Sequence, residues 1–224
     1  PKALDFTIGA PRGIPKSLND AIGRPLPPTE VAACFGCHST GSVLGGSQLH
    51  LENFAHGIRC EGCHGPGGQH IAGVKKGDLP SQSIYNPKLL SGDELTQQFC
   101  AVCHRGADEF SLLKSMEINN VRFQPYRIFL SKCYSDDRKI SCTACHNPHE
   151  PLQEDTAYYD KRCLGCHSLK NKNTSASAGD GKSCPVADKD CTSCHMPKIE
   201  VKAAHFRFTD HYIRVVKPGQ QYPY

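Results

Sequence analysis

The sequence predicts a mainly irregular fold with short α-helices and few strands, built around something other than an aliphatic core. Three observations lead there. Hydrophobic residues make up 38% of the 224 positions and Trp is absent, which is thin for a conventional core of this size. Cysteine is abundant instead, at 14 residues, about twice or more the usual share. Twelve of the 14 fall into six copies of Cys-x-x-Cys-His, with 26, 40, 42, 21 and 28 residues between successive starts. Gaps so uneven describe one irregular unit and not a solenoid.

The six copies are Cys34/Cys37/His38, Cys60/Cys63/His64, Cys100/Cys103/His104, Cys142/Cys145/His146, Cys163/Cys166/His167 and Cys191/Cys194/His195. By composition alone, a given Cys begins this pattern with a chance of roughly 0.3%, so six copies are not accidental. The spacing suits covalent haem attachment. Two thiols add to the two vinyl groups of a haem, and the adjacent imidazole becomes the proximal iron ligand. Zinc sites pair Cys-x-x-Cys units with one another and have no need of His after each second Cys. Disulfides have no need of the His either. The expected cofactors are six haem c groups with their iron. Fewer than 40 residues then serve each haem. The porphyrins supply the apolar interior, and the fold is a haem-cored multihaem cytochrome c. Thioether bonds tie the chain down as disulfides do in other small exported domains.

Along the chain, residues 1–30 hold six prolines and read as an extended N-terminal arm. Residues 31–216 form the hexahaem domain, and 217–224 a similar C-terminal tail. Within the domain, helices are expected to lead into several motifs, so that Cys and His emerge on one side. Thr29-Glu30 caps the helix into Cys34. Ser91-Gly-Asp-Glu94 is a capping box before "LTQQFCAVCH". Asp155-Thr156 caps "AYYDKRCLGCH", and Asp188 caps the last motif. An extended stretch is expected around Val121–Phe123, ended by Pro125. Residues 170–182 read as a polar surface loop.

The formal charge of +4 is too small to argue for nucleic acid, since Lys and Arg are interspersed with Asp and Glu. No apolar run approaches the ~18 residues of a membrane span. Residues 1–30 lack the apolar segment of a secretion signal, so an exported protein would have this as its mature chain.

Twelve histidines minus six proximal ones leave His50, His56, His70, His149, His205 and His211. Six haems meet six spare imidazoles, which makes these the candidate distal ligands. His149 follows His146 by three residues. It cannot easily reach over the same porphyrin, and is expected to serve a neighbouring haem. The other reading of each is a surface His hydrogen-bonded to a propionate. Met116 and Met196 are rival ligands.

"HGIRCEGCHGPGGQH" (56–70), "CTACHNPH" (142–149) and "CHMPKIEVKAAHFRFTDHYI" (194–213) carry a family likeness. Over residues 31–216 the chain resembles multihaem cytochromes c related to hydroxylamine oxidoreductase and its tetrahaem electron-acceptor cytochrome. The resemblance implies distal-ligand roles for His56, His70, His149 and His211, and haems stacked in parallel and perpendicular pairs. It also implies assembly outside the cytoplasm, periplasmic or extracellular. The chain departs from the family in having no Cys-x-x-Cys-Lys unit and in being much shorter than the octahaem enzymes.

Two cysteines remain, Cys133 and Cys184. An even leftover in an exported protein points to a disulfide, with two buried thiols as the other reading. A haem with two imidazoles has no open site for substrate. If every haem is so ligated, the protein is no enzyme but an electron carrier. Its partners are then redox proteins or copies of itself, within a larger redox complex or a homopolymeric filament. A small reductase of a nitrogen or sulfur oxyanion is the alternative, and needs one five-coordinate haem.

Overall fold

In the computed structural model the residues described are 13–23, 25–41, 44–45, 48–50, 52, 54–77, 83–113, 118–135, 140–167, 184–204, 206–217 and 219–220. The fold is mainly irregular, with short helices and two-stranded antiparallel ladders, as the sequence predicts. His205, Met116 and the loop expected at 170–182 lie outside the described residues. The chain packs as two compact units, Pro1–Leu90 and Ser91–Tyr224.

The first unit begins, among its described residues, with exposed chain that is not wholly extended. A single-turn helix, α1 (Leu18–Ile22), is capped by Ser17, whose Oγ accepts the Asp20 N–H at 3.1 Å. Helix α2 (Pro28–His38) opens on Pro28, not under a Thr29-Glu30 cap. Proline suits a first helical turn, where its missing N–H has no partner to lose. Helix α2 runs straight into β1 (Ser39–Thr40), which pairs with β4 (Ala55–His56), Ser39 facing His56. Between them lies the small hairpin of β2 (Leu44–Gly45) and β3 (Gln48–Leu49). Two short helices follow, α3 (Cys60–His64) and α4 (Gly68–Lys75). Gly65 separates them with φ 71°, a conformation that favours glycine. A Cβ on Gly62 would come within 2.9 Å of the Ile58 side chain, so α3 sits close against that neighbour.

The second unit opens with the expected capping box. The Ser91 N–H donates to Glu94 Oε2 at 2.8 Å, and the Glu94 N–H to Ser91 Oγ at 3.2 Å. The helix it starts is wide, a π-helical stretch over Glu94–Cys100, and tightens into α5 (Ala101–His104). Helix α6 (Ala107–Leu113) follows. The stretch expected to be extended is instead a 3-10 segment, Ile118–Arg122, and Pro125 lies in the first turn of α7 (Gln124–Phe129). The β-branched Val121 signalled a strand, but Pro125 begins a helix here instead of ending an element. Helix α8 (Thr156–His167) starts as expected, with Asp155 accepting the Ala157 N–H at 2.9 Å. Helix α9 (Cys191–His195) is not capped by Asp188. Its first N–H groups are taken by Asp160 of α8. Strands β5 (Lys198–Val201) and β6 (Phe206–Thr209) form an antiparallel ladder, in register from Lys198↔Thr209 to Val201↔Phe206.

The apolar core of this unit is small. Val121, Val201 and Ala204 are buried together, flanked by Ile199 and Phe208. Beside them Arg127 and Asp210 are fully buried and doubly bonded, Nε to Oδ1 at 2.8 Å and NH2 to Oδ2 at 2.9 Å. Arg214 adds a third contact, NH1 to Oδ2 at 2.7 Å.

Candidate functional site: the Cys-x-x-Cys-His motifs

The first, second, third, fifth and sixth motifs end on helices: α2, α3, α5, α8 and α9. A helix turn brings the second Cys and the His that follows it back toward the first Cys. The fourth motif does the same with a 3-10 turn, Cys142–Ala144, closed by the Cys145 and His146 N–H groups on the Cys142 carbonyl. The spacing is thus compatible with several local structures.

The twelve motif cysteines differ in exposure. Cys34, Cys60, Cys103, Cys166 and Cys194 are exposed, whereas Cys37, Cys63, Cys100, Cys142, Cys145, Cys163 and Cys191 are half-buried. The two thiols of a motif therefore meet different surroundings. In the first two motifs, Cys37 and Cys63 are the more covered of the pair, and in the third, fifth and sixth the second thiol, Cys103, Cys166 or Cys194, is the more open. The structure joins none of the twelve in a disulfide. Cys194 Sγ lies 3.7 Å from Ser193 Oγ, a weak local contact.

The proximal histidines show how they are oriented. His64 Nδ1 donates to the Tyr85 carbonyl at 2.8 Å, and His195 Nδ1 to the Arg214 carbonyl at 3.0 Å. A carbonyl can only accept, so the proton sits on Nδ1 and Nε2 keeps its lone pair. His104 Nδ1 meets Gln124 Oε1 at 3.1 Å. This outer-shell arrangement is the one that fixes a metal-binding imidazole.

Within the second unit the motifs lie close together in chain order. A hydrogen bond with the Cys100 thiol brings Cys142 down to about 7, against the effect of its burial. Burial, and then the nearby Cys163 thiol, push Cys145 up. Burial, the Asp160 carboxylate and the Cys163 thiol push Cys191 up to about 12. The third and fourth motifs therefore meet through Cys100 and Cys142, the fifth and sixth through Cys163 and Cys191, and the fourth lies near enough to the fifth for their thiols to repel. Tyr159 of α8 sets its ring edge against His146, with centroids 5.7 Å apart. A cleft of about 160 Å³ runs beside the fourth motif, lined by Cys145, His146, Leu152 and Tyr159 among others.

The spare histidines are placed unevenly. His211 lies beside His146, with ring centroids 6.2 Å apart, and its Nδ1 donates to the Thr209 carbonyl at 3.0 Å. Burial pushes His211 down to about 4, so it is a neutral imidazole at neutral pH. His56 pairs across the ladder with Ser39, next to His38, and packs edge-on to Phe54 at 4.6 Å. His70 lies on α4 with Nδ1 3.2 Å from Ser83 Oγ. His50 is tied to Glu52 at 2.7 Å. His149 is exposed, and its own N–H donates to Asn147 Oδ1 at 3.1 Å. Among the described residues, no three His, Cys, Asp or Glu side chains converge as a zinc site requires. Cys133 is half-buried near Cys145 and Cys163, whereas Cys184 is exposed and its sulfur accepts the Ala187 and Val186 N–H groups. The structure does not join these two sulfurs.

The motif residues fit a haem. The Nε2 lone pairs of His64 and His195 suit iron, and among the described residues Arg214 Nε is a buried donor without an acceptor, which suits an anionic group such as a propionate. Sequence reasoning missed Asp160, Arg127 and Asp210. Only Asp210 carried a signal, its place in "FTDH" beside His211.

Comparison with known proteins agrees. The family model for cytochrome c554 and c-prime matches residues 18–65, the segment that carries the first two motifs. A multiheme cytochrome of Shewanella baltica, MtrA, is 26% identical over 146 residues, 63% of this chain and 36% of its own length. Both likenesses support a multihaem cytochrome c. The chain thus spans about a third of the curated relative it matches. No solved structure matches. Among the described residues, no helix is long and apolar enough to cross a membrane.

Proposed function

We propose that the chain is an electron-transfer protein with six haem c groups, all bis-histidine, related to the hydroxylamine oxidoreductase cytochromes. The thioethers are carried by Cys34 and Cys37, Cys60 and Cys63, Cys100 and Cys103, Cys142 and Cys145, Cys163 and Cys166, and Cys191 and Cys194. For Cys37, Cys63, Cys103, Cys166 and Cys194, the support is the motif itself, each standing three residues after its partner thiol and directly before a His.

The observation that supports the reading as a whole is the succession of neighbouring motifs, Cys100 bonded with Cys142, Cys145 near Cys163, and Cys163 bonded with Cys191. Cysteines so close place their haem edges close, and closely packed haems pass electrons from one to the next. Bound haem iron supplies a one-electron couple. The protein sets the spacing, the burial and the axial ligands that tune each potential. With no open coordination position, the chain is a carrier and not an enzyme.

The same reading places it outside the cytoplasm, in the periplasm or beyond the cell, working with redox proteins or with copies of itself. In that compartment the two cysteines outside the motifs, Cys133 and Cys184, form a disulfide, for which their even number is the support. Alkylation of the denatured, unreduced protein should then label neither.

Intact-mass measurement of the purified protein should show six haem additions. Low-temperature electron paramagnetic resonance of the oxidised protein should show low-spin haems throughout. A stoichiometric high-spin haem that binds nitrite or hydroxylamine would replace the carrier with the reductase.

A further inference from the structure

We infer that His146 and His211 are the two axial ligands of one iron, that of the haem attached at Cys142 and Cys145, and that the buried Arg127–Asp210–Arg214 ion triad is the positioning device that holds His211 there. The inference rests on the multihaem reading, and goes beyond it by pairing a distal ligand with its haem.

Two imidazoles bound at about 2 Å on opposite sides of one metal ion have ring centres about 6 Å apart. The His146 and His211 centroids stand 6.2 Å apart with an interplanar angle of 37°. Both rings belong to residues that other observations mark as ligands. His146 closes its motif through the 3-10 turn, its N–H bonded to the Cys142 carbonyl at 2.9 Å. His211 donates Nδ1–H to Thr209, which leaves Nε2 as its free lone pair.

The backbone around His211 is fixed from both sides. The Asp210 N–H donates to the Pro197 carbonyl at 3.0 Å, and Ser131 Oγ donates to the His211 carbonyl at 3.0 Å. Asp210 is fully buried between Arg127 and Arg214, and its Oδ1 also accepts the Tyr212 N–H at 3.0 Å. Both guanidinium groups lie over the Tyr212 ring, at 5.3 and 4.7 Å. Asp210 thus holds the backbone just before and just after His211. Arg214 connects the anchor to the sixth motif, since its N–H and carbonyl bond the His195 carbonyl and Nδ1.

The test uses the full haem-loaded chain. His211→Ala should keep all six haem additions by mass and convert one haem to high spin, and added imidazole should restore low spin. To assign that haem, His211→Ala is repeated with Cys142→Ser and Cys145→Ser, a background with five haems. No further high-spin signal should then appear. If the high-spin haem persists in that background, His211 serves another iron and the pairing is wrong. If His211→Ala leaves every haem low-spin, His211 is no ligand and the inference fails, while six haem additions would leave the multihaem reading standing. Fewer than six additions in the unmodified protein would sink the six-haem count and leave the pairing intact, provided that the fourth motif is loaded. For the triad, Asp210→Asn should give a partly high-spin haem that binds carbon monoxide when reduced. A merely structural role would lower stability and leave all haems low-spin. Should Asp210→Asn fail to accumulate, Arg214→Lys gives the same readout, with the same outcome overturning the positioning role.

Discussion

In the first compact unit the motifs lean on short ladders and an aromatic edge, Phe54 set against Phe35 at 4.5 Å and His56 at 4.6 Å. In the second they lean on buried charge and a small apolar cluster. Among the described residues, those with no exposure at all, Val121, Thr96, Asn120, Arg127 and Asp210, belong to the second unit. The first unit contributes Ser39 and Gly67 to the buried set. The same five-residue motif is therefore held by two kinds of support. One is a network in which two arginines share one buried carboxylate. The other is a set of local contacts with no buried charge among them.

The largest expected effect breaks the network. Asp210→Ala leaves Arg127 and Arg214 without their shared carboxylate, and an uncompensated buried charge costs about 3–5 kcal/mol. The guanidinium unfolding midpoint of the haem-loaded protein, followed by far-ultraviolet circular dichroism, should fall accordingly. A change below about 1 kcal/mol would mean that the two arginines reach water or another anion, and the contrast would lose its basis.

Next in size is a steric test in the same unit. A Cβ on Gly106 would meet the Gln97 carbonyl oxygen at 2.9 Å and Ala101 Cβ at 3.1 Å. The backbone cannot yield as a flexible side chain would. Gln97 also accepts the Ala107 N–H at 3.0 Å and donates to the Pro125 carbonyl at 2.8 Å, so a shift there would spread. Gly106→Ala should cost about 1–3 kcal/mol in the same measurement.

How far the sequence revealed this arrangement follows from the range of each interaction. The capping box at Ser91 and Glu94 and the Asp155 cap were legible because they are local, made by residues within three positions of each other. The Thr29-Glu30 and Asp188 caps failed for opposite reasons. Pro28 starts its helix without a side-chain cap, and α9 takes its cap from Asp160, 31 residues before Cys191. The motif cysteines and their histidines could be named from the sequence because each pattern spans only five residues. Which thiol of each pair is covered was not, since the exposure of Cys103, Cys166 and Cys194 depends on what packs around their helices. The partner of His146 was equally hidden, since His211 lies 65 positions away and only folding brings it near. Arg127 and Asp210, 83 positions apart, were invisible for the same reason.

Asp160 sharpens the comparison with a pH dependence. Burial raises its carboxyl, and the Cys191 and Asp190 N–H groups, at 2.8 and 2.7 Å, more than offset that, so it stays below the ordinary carboxylate value. A lowered folded-state value stabilises the fold above the unfolded value of about 4, and the benefit fades as pH falls through the lower folded value. Asp160→Asn keeps one acceptor and turns the other into a donor against an N–H. It should lose about 1–2 kcal/mol at pH 7. The gap between the two proteins should narrow below about pH 4. A gap that stays constant to about pH 2 would mean that shape and not charge holds α9.

The smallest effect belongs to the first unit. Ser39 follows His38 directly, faces His56 across the ladder and is 6% exposed. Its Oγ donates to the Ala55 carbonyl at 2.9 Å. Ser39→Ala removes that donor, while the ladder itself, the Thr40 Oγ1 bond to the Gly57 carbonyl at 3.0 Å and the Gly57 N–H bond to the His38 carbonyl at 3.2 Å remain. The loss should be near the net worth of one neutral hydrogen bond, about 1 kcal/mol. Because no buried charge is stranded, the change has no amplifying term, unlike Asp210→Ala. The two variants measured side by side decide the contrast. If Ser39→Ala costs as much as Asp210→Ala, the ladder is as indispensable as the ion triad, and the first unit is a network after all.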